Sequence, residues 1–325
     1  MVLVPQYGVL DPVLSSASLP ARARPSYVVP KVGSTIVDKV QHATGQWFTD
    51  EQRPLPWRQE GTSAWAILLS EVMSQQTPVA RVAPIWQRWL ELWPTPAALA
   101  VAPTAQVLRE WSSLGYPRRA LRLQECAHAI VTQHGGEVPL LYDELVALPG
   151  IGDYTAAAVV AFAYRKRSTV IDTNVRRVVA RVFGGTQFPA PSYTSAEKKF
   201  IASLTPNSDE DAWLWAASSM ELGAVVCTAR VALCDQCPIS QWCAWRADGF
   251  PEDEHAQVRK TQKFAGTDRQ VRGKVMKLLR QSEGPVLRGA IDVVWPDGAQ
   301  LDRCVASLIE DGLVEQDGEL YSLPQ

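Results

Sequence analysis

Cys227, Cys234, Cys237 and Cys243 fall within 17 residues, CTARVALCDQCPISQWC, and account for four of the six cysteines in the chain. In a chain without a basic start and apolar block at its N-terminus, clustered cysteines at C-x6-C-x2-C-x5-C spacing favour metal ligation over disulfides. Four thiolates can hold zinc or an iron–sulfur cluster, and the spacing leaves both open, although zinc sites more often pair two C-x2-C units. Cys126 and Cys304 stand alone and read as packing residues.

Two carboxylates and one glycine-rich turn also sit where chemistry is possible. Glu71, in SAWAILLSEVMSQQT, follows Ile67 by four residues and Leu68 by three, on the apolar side of a helix. A carboxyl there is either exposed at the edge of the stripe or partly desolvated, and desolvation favours its protonated form. Asp172, in STVIDTNVRRVVARV, follows an apolar triplet and opens a helix. Taken alone, it is an N-cap that stabilises that helix. LPGIGDYT puts Gly150 and Gly152 directly before a helix beginning near Asp153. Glycines there let backbone N–H groups point outward at a helix N-terminus, where an anion is favoured. A plain inter-helix turn is the alternative. With LYDELVAL as the helix before it, the unit is a helix–hairpin–helix that grips a DNA phosphate through backbone amides.

The elements that must position these residues read as helices from about 34 to 226. Thr77-Pro78 and Thr95-Pro96 each look like an N-cap followed by proline at the first helical position. TAQVLREWSSL, RRALRLQECAHAIVTQHGG, DYTAAAVVAFAY, TNVRRVVARVF, SAEKKFIASL and SDEDAWLWAASSMELGAVV carry apolar residues at helical spacing, and no convincing alternating strand lies among them. The body is all-α. Residues 1–30, with five prolines, read as a disordered arm, and 247–266 as a polar linker. Residues 267–325 hold three short helices and a hairpin around Asp317-Gly318, the winged-helix pattern.

At 325 residues, with 46% hydrophobic and 20% charged residues, the chain has the composition of a soluble globular protein of about two domains. No apolar run approaches the roughly 20 residues of a membrane helix, so membrane function is excluded and a cytoplasmic location expected. The net charge of −2 neither supports nor excludes nucleic acid, because position matters more than sum. Segment 165–181 holds six basic residues against Asp172, and 259–280 holds eight against Asp268. A helix–hairpin–helix needs little bulk charge, since local geometry replaces it.

Together, LPWR, SEVMSQQTPVARV, LGYPRRA, LPGIGDYTAAAVVAFA, VIDTNVRRVVAR and ELGAVVCTARVALCDQCPISQWC resemble the helix–hairpin–helix DNA glycosylases with a 4Fe–4S loop, the group containing endonuclease III. Within that group the match is to the A/G-specific adenine glycosylases, the MutY family, over about residues 34–246. The resemblance implies a two-lobed all-α fold with a cluster loop at 31–246. It also implies a 4Fe–4S cluster on the four cysteines, a monomer, and duplex DNA carrying adenine opposite 8-oxoguanine or guanine as substrate. Bifunctional relatives carry a lysine where Tyr154 stands. Tyrosine cannot form a Schiff base, so the resemblance implies a monofunctional hydrolase that leaves an abasic site.

The same resemblance assigns the roles. Glu71 protonates N7 of an adenine flipped from the duplex, and Asp172 stabilises the oxocarbenium-like sugar. Tyr154 and Asn174 position these groups. Trp57 and Arg58 wall the base pocket, Gln76, Thr77 and Tyr116 probe the stack near the opposite base, and Arg230 faces phosphate. Three departures stand out: Ser74 replaces an apolar residue, Pro117 a second tyrosine, and 267–325 is too short for the Nudix-like domain of many members. A T:G thymine glycosylase shares the scaffold, and an iron–sulfur DNA-binding regulator is the non-enzymatic alternative. Glu71 favours adenine, and the presence of both carboxylates favours an enzyme.

Overall fold

The computed structural model describes Tyr27, residues 29–253, 255–256 and 264–325. The arm expected at 1–30 therefore lies almost wholly outside the described residues, as does part of the expected linker. Among the described residues no helix is long and apolar enough to cross a membrane.

The helical expectation holds. A first lobe is built from α2 (Ala64–Ser74), α3 (Val79–Leu92), α4 (Pro96–Ala100), α5 (Thr104–Glu110), α6 (Arg118–Gln133), α7 (Tyr142–Ala147) and α8 (Asp153–Tyr164). Its core is rich in tryptophan: Trp89 meets Trp93 and Trp111 edge-on at 4.8 and 5.4 Å, beside Leu68, Leu69, Leu123 and Ile130. The second lobe contains α9 (Thr173–Val182), α10 (Ser195–Ser203), α11 (Asp209–Val225) and α12 (Ala244–Ala247), together with α1 (Ser34–Glu51) from the other end of the chain. Val40, Val178, Phe200, Trp215 and Leu222 fill its core. At Gly45 a Cβ would come within 2.8 Å of the Leu214 side-chain end, so α1 lies close against α11 here.

The lobes meet on α8. Its face of Ala157, Ala158 and Ala161 packs with Val170 and Ala216, while Ala156 and Val159 belong to the first core. Small side chains on both sides let one helix serve two cores, and they fix its N-terminal residues between the lobes.

Side-chain caps start most of the helices that matter: Ser63 accepts from Ala66 N–H, Asp172 from Val175, Ser208 from Asp211 and Asp297 from Gln300. Thr95 caps α4 as its sequence indicates. Thr77 does not cap α3, which begins after Pro78 without a side-chain cap. Its hydroxyl instead donates to Leu114 O at 3.1 Å, joining two turns.

Residues 267–325 form α13 (Asp268–Gln281), α14 (Arg288–Asp292) and α15 (Gly298–Glu310), with an antiparallel sheet of β1 (Val286–Leu287), β3 (Leu320–Ser322) and β2 (Glu315–Asp317) in that order. The hairpin turns at Asp317 and Gly318, the latter at φ 58°. The unit is docked rather than loose. α13 packs on α5, and Val271, Val275 and Leu308 continue the apolar core of the first lobe. Arg118 bridges to Asp311 at 3.0 Å across the junction.

Candidate active site and cluster loop

A cleft between the lobes is lined by Glu71, Tyr154, Asp172 and Asn174, with Trp57, Arg58 and Glu221 on its wall. Thus α2, α8 and the start of α9 bring together all four residues the sequence marks as catalytic.

The Tyr154 hydroxyl donates to Glu71 Oε2 at 2.7 Å. Burial pushes the Glu71 carboxyl up to about 7, the tyrosine bond pulls it back, and the nearby Asp172 adds to the rise. Glu71 is therefore a carboxyl able to hold a proton near neutrality. Burial, with the two carboxylates, puts the Tyr154 phenol well above its ordinary value, so it stays a hydrogen-bond donor.

Asp172 is both an N-cap and a cleft residue. One oxygen accepts from Val175 N–H at 2.6 Å and the other from Asn174 Nδ2 at 2.6 Å. Burial raises its pKa, and these two bonds and Arg177 work against the rise. Asn174 is oriented in turn by Arg177, which donates to Asn174 Oδ1 at 2.8 Å, Gly223 O at 2.6 Å and Cys227 O at 2.8 Å. A Cβ at Gly223 would fall 2.7 Å from Asn174 Cβ, so α11 and α9 touch here only because the residue is glycine.

Four residues of this machinery escaped the sequence reading. Glu221, on α11, is 1% exposed and accepts two bonds from the Arg53 guanidinium, at 2.7 Å each, one from the Arg53 N–H at 3.1 Å and one from Arg58 at 2.9 Å. Burial raises its carboxyl, but the guanidinium bonds win and hold it down to about 2. Its signal was available: a single acid inside the apolar run WAASSMELGAVV, the same signature as Glu71. Arg53 and Gly223 have no such local signature, since their partners are distant in sequence, and Arg177 joins the nearby Asn174 to the distant Gly223 and Cys227 carbonyls.

Gln76 and Tyr116 are not part of the cleft wall. They lie on two turns beside it, both in left-handed backbone, with φ 54° and 46°. Thr77 is buried between those turns and lines the cleft. One guanidinium ties the turns together: Arg119 donates to Val72, Met73 and Gln75 carbonyls, to Thr77 Oγ1, and to Leu114 and Gly115 carbonyls.

Gly150 takes φ 76° in the turn between α7 and α8, and a Cβ there would sit 2.7 Å from Arg122 Cβ. Gly152 caps α8 with open space before it. The hairpin lines a depression with Arg118, Arg119 and Arg122, so the backbone amides have basic side chains beside them.

Cys227, Cys234, Cys237 and Cys243 wall one small cavity with Arg181 and Ile239. Among the described residues no group of three His, Cys, Asp or Glu converges closely enough for a single metal ion. Four thiols around one cavity are a donor set that zinc or an iron–sulfur cluster could use. Arg181 is fully buried, donates to Cys227 Sγ at 3.2 Å and stacks 4.6 Å from the Trp245 ring centre. It offers a positive partner for anionic sulfur. Arg230 is exposed on the loop between the first two cysteines. No lysine lines the cleft among the described residues; Lys166 pairs with Asp209 at 2.9 Å.

Residues 69–203 match the HhH-GPD superfamily of base excision DNA repair proteins. Over 272 residues the chain is 53% identical to an adenine DNA glycosylase of Mycolicibacterium smegmatis, covering 83% of this chain and 90% of that one. It is 51% identical to an adenine DNA glycosylase of Mycobacterium tuberculosis over 282 residues, 86% of this chain and 91% of that one. Among solved structures, a thermostable thymine-DNA glycosylase superposes with TM-score 0.60 at 23% identity, over 66% of this chain and 98% of that one, which shows the shared fold.

Proposed function

The chain belongs to the adenine DNA glycosylases of the HhH-GPD superfamily, and from that premise we propose that it hydrolyses the N-glycosidic bond of adenine opposite 8-oxoguanine or guanine without cutting the strand. One observation carries the proposal: Glu71, with its carboxyl raised to about 7, shares a cleft with Asp172 and is bonded to a tyrosine where a nucleophilic amine would otherwise stand.

The chemistry divides between two carboxyls in different environments. Glu71 gives its proton to N7 of the flipped adenine. The C1′–N9 bond then breaks with its electron pair leaving on the base. Asp172, fixed by Val175 N–H and Asn174, faces the developing cation as an anion. Water adds at C1′, its proton returns to the Glu71 carboxylate, and an abasic sugar remains. Tyr154 supplies a hydrogen bond and no imine, so β-elimination has no starting point. Trp57, edge-on to Trp86 at 5.7 Å, and Arg58, held by Glu221, form the wall against which the base rests. Gly150 and Gly152 present amides to a phosphate, Arg230 adds a charge to the backbone contact, and Gln76 and Tyr116 meet the strand opposite.

The cluster loop fits a 4Fe–4S group on Cys227, Cys234, Cys237 and Cys243. When bound, that group holds the loop together, since hydrolysis requires no electron transfer. Iron and sulfide in equal amounts in the purified protein would support this assignment, and zinc in their place would refute it.

Single-turnover base release on duplexes holding A opposite 8-oxoguanine, A opposite G, and T opposite G tests the function. Strand breaks that appear only after alkali, on the adenine duplexes alone, are the expected result. Cleavage without alkali removes the Tyr154 argument, and release of thymine alone replaces adenine as the substrate.

A further inference from the structure

The C-terminal unit has the element order of a winged helix, yet its hairpin is acidic. On α15 the exposed Asp302 and Glu310 share the surface with exposed Arg303, and Arg288 is bridged to Asp302, whereas the hairpin exposes Glu315, Asp317 and Glu319 with no basic residue of its own. Phosphates repel that face. The unit instead reaches the glycosylase lobe with the opposite charge: Arg269, near the start of α13, donates to the Tyr116 hydroxyl at 2.9 Å.

Tyr116 is unusual on three counts. It is 44% exposed, its backbone is left-handed at φ 46°, and it stands between two guanidinium groups. Arg119 lies 5.8 Å from the ring centre and also bonds the Leu114 and Gly115 carbonyls beneath the turn. Arg269 takes the phenol from the other side. A non-glycine residue in left-handed backbone persists only where its surroundings over-determine it. Arg119 supplies this constraint from within the lobe, and through Val72, Gln75 and Thr77 it ties the Tyr116 turn to the turn carrying Gln76. The Arg118–Asp311 and Arg272–Asp311 bridges fix α13 and α15 against the same place.

We propose that Arg269 is a positioning residue for Tyr116, through which the C-terminal unit fixes how the Tyr116 and Gln76 turns meet the DNA strand opposite the flipped base. The role rests on the proposed function, in which those turns touch the duplex. Arg269 itself contacts no phosphate in this scheme. The hydrogen bond holds the phenol in the pose that binding requires, so less ordering remains to be done when DNA arrives.

A double-mutant cycle in the full chain decides the matter. Arg269→Ala removes the donor, and Tyr116→Phe removes only the acceptor while keeping the ring. Each single change is expected to weaken binding of the A:8-oxoguanine duplex by about three- to tenfold, the size of one partly exposed hydrogen bond. For Arg269→Ala, single-turnover base release at saturating protein should stay within about twofold, and binding of matched duplex and its salt dependence should not move. The double variant should be no worse than either single one. An Arg269→Ala defect that persists undiminished in the Tyr116→Phe background, or that lowers the salt slope by about one, identifies a direct phosphate contact and overturns the proposal. An Arg269→Ala variant that binds every duplex normally also overturns it. Failure of the unaltered chain to release adenine would instead overturn the proposed function, which the same assay reads separately.

Discussion

Glu71 and Asp172 are two carboxyls in one cleft, and burial raises both, so the question at the residue scale is what separates them. Asp172 has two short donors, a backbone N–H and an amide, that favour its anion, whereas Glu71 has one phenol. That difference assigns the proton to Glu71. The rate of base release should therefore fall as pH rises through about 7, because the acid form of Glu71 is lost. Tyr154 donates to Glu71 and so pulls its pKa down. Tyr154→Phe should move the falling limb of the pH–rate profile to higher pH, and a limb that stays in place would show that the bond does not act on the proton. Glu71→Gln should lower single-turnover release by about 10²–10⁴ with duplex affinity little changed, which gel-shift titration beside the rate assay would show. Glu71 was legible in sequence as an acid on the apolar side of a helix, whereas Asp172, read alone as an N-cap, took its role from the family resemblance. Glu221 interrupts an apolar run as Glu71 does, but its role depends on Arg53 and Arg58, more than 160 residues away in sequence.

At the scale of elements, glycines decide how closely helices approach, and the structure separates Gly150, Gly152 and Gly223 by what surrounds each. Gly150 combines φ 76° with a Cβ position 2.7 Å from Arg122 Cβ, so Gly150→Ala should cost about 1–3 kcal/mol of stability, read as a lower urea midpoint. Gly152 has ordinary φ and open space, so Gly152→Ala should leave stability unchanged and weaken duplex binding alone. Equal loss of stability in both variants would mean that the hairpin serves the fold and not the phosphate. Gly223→Ala would press on Asn174 and loosen Asp172, lowering base release more than duplex affinity. The hairpin glycines were visible because the turn is local. The Gly223 contact was not, since it joins α11 to α9. Thr77 shows the same limit: Thr-Pro is a good cap signal, but Arg119 and Leu114 hold the hydroxyl elsewhere.

For the whole molecule, the sequence shows helices and a change of character after Cys243, but not which helices share a core. α1 joins α9–α11 across the chain through Gly45 and Val40, and only the folded contacts reveal it. The C-terminal unit is a sharper case. Its polar lead-in and its own hairpin suggest independence, whereas its apolar residues continue the core of the first lobe through α5 and α13. Burial shared in this way couples the two in unfolding, because separating them exposes apolar surface on both. Calorimetry should accordingly show the C-terminal unit melting with the first lobe in one transition. Asp311, with a side chain only 19% exposed and bridged to both Arg118 and Arg272, reinforces that junction. Asp311→Ala should lower the shared transition by about 2–4 °C, a loss of about 1 kcal/mol. If the unit were an independent body, the substitution would split off a separate low-temperature transition and leave the main one in place, and the strut from Arg269 to Tyr116 would then have no fixed support.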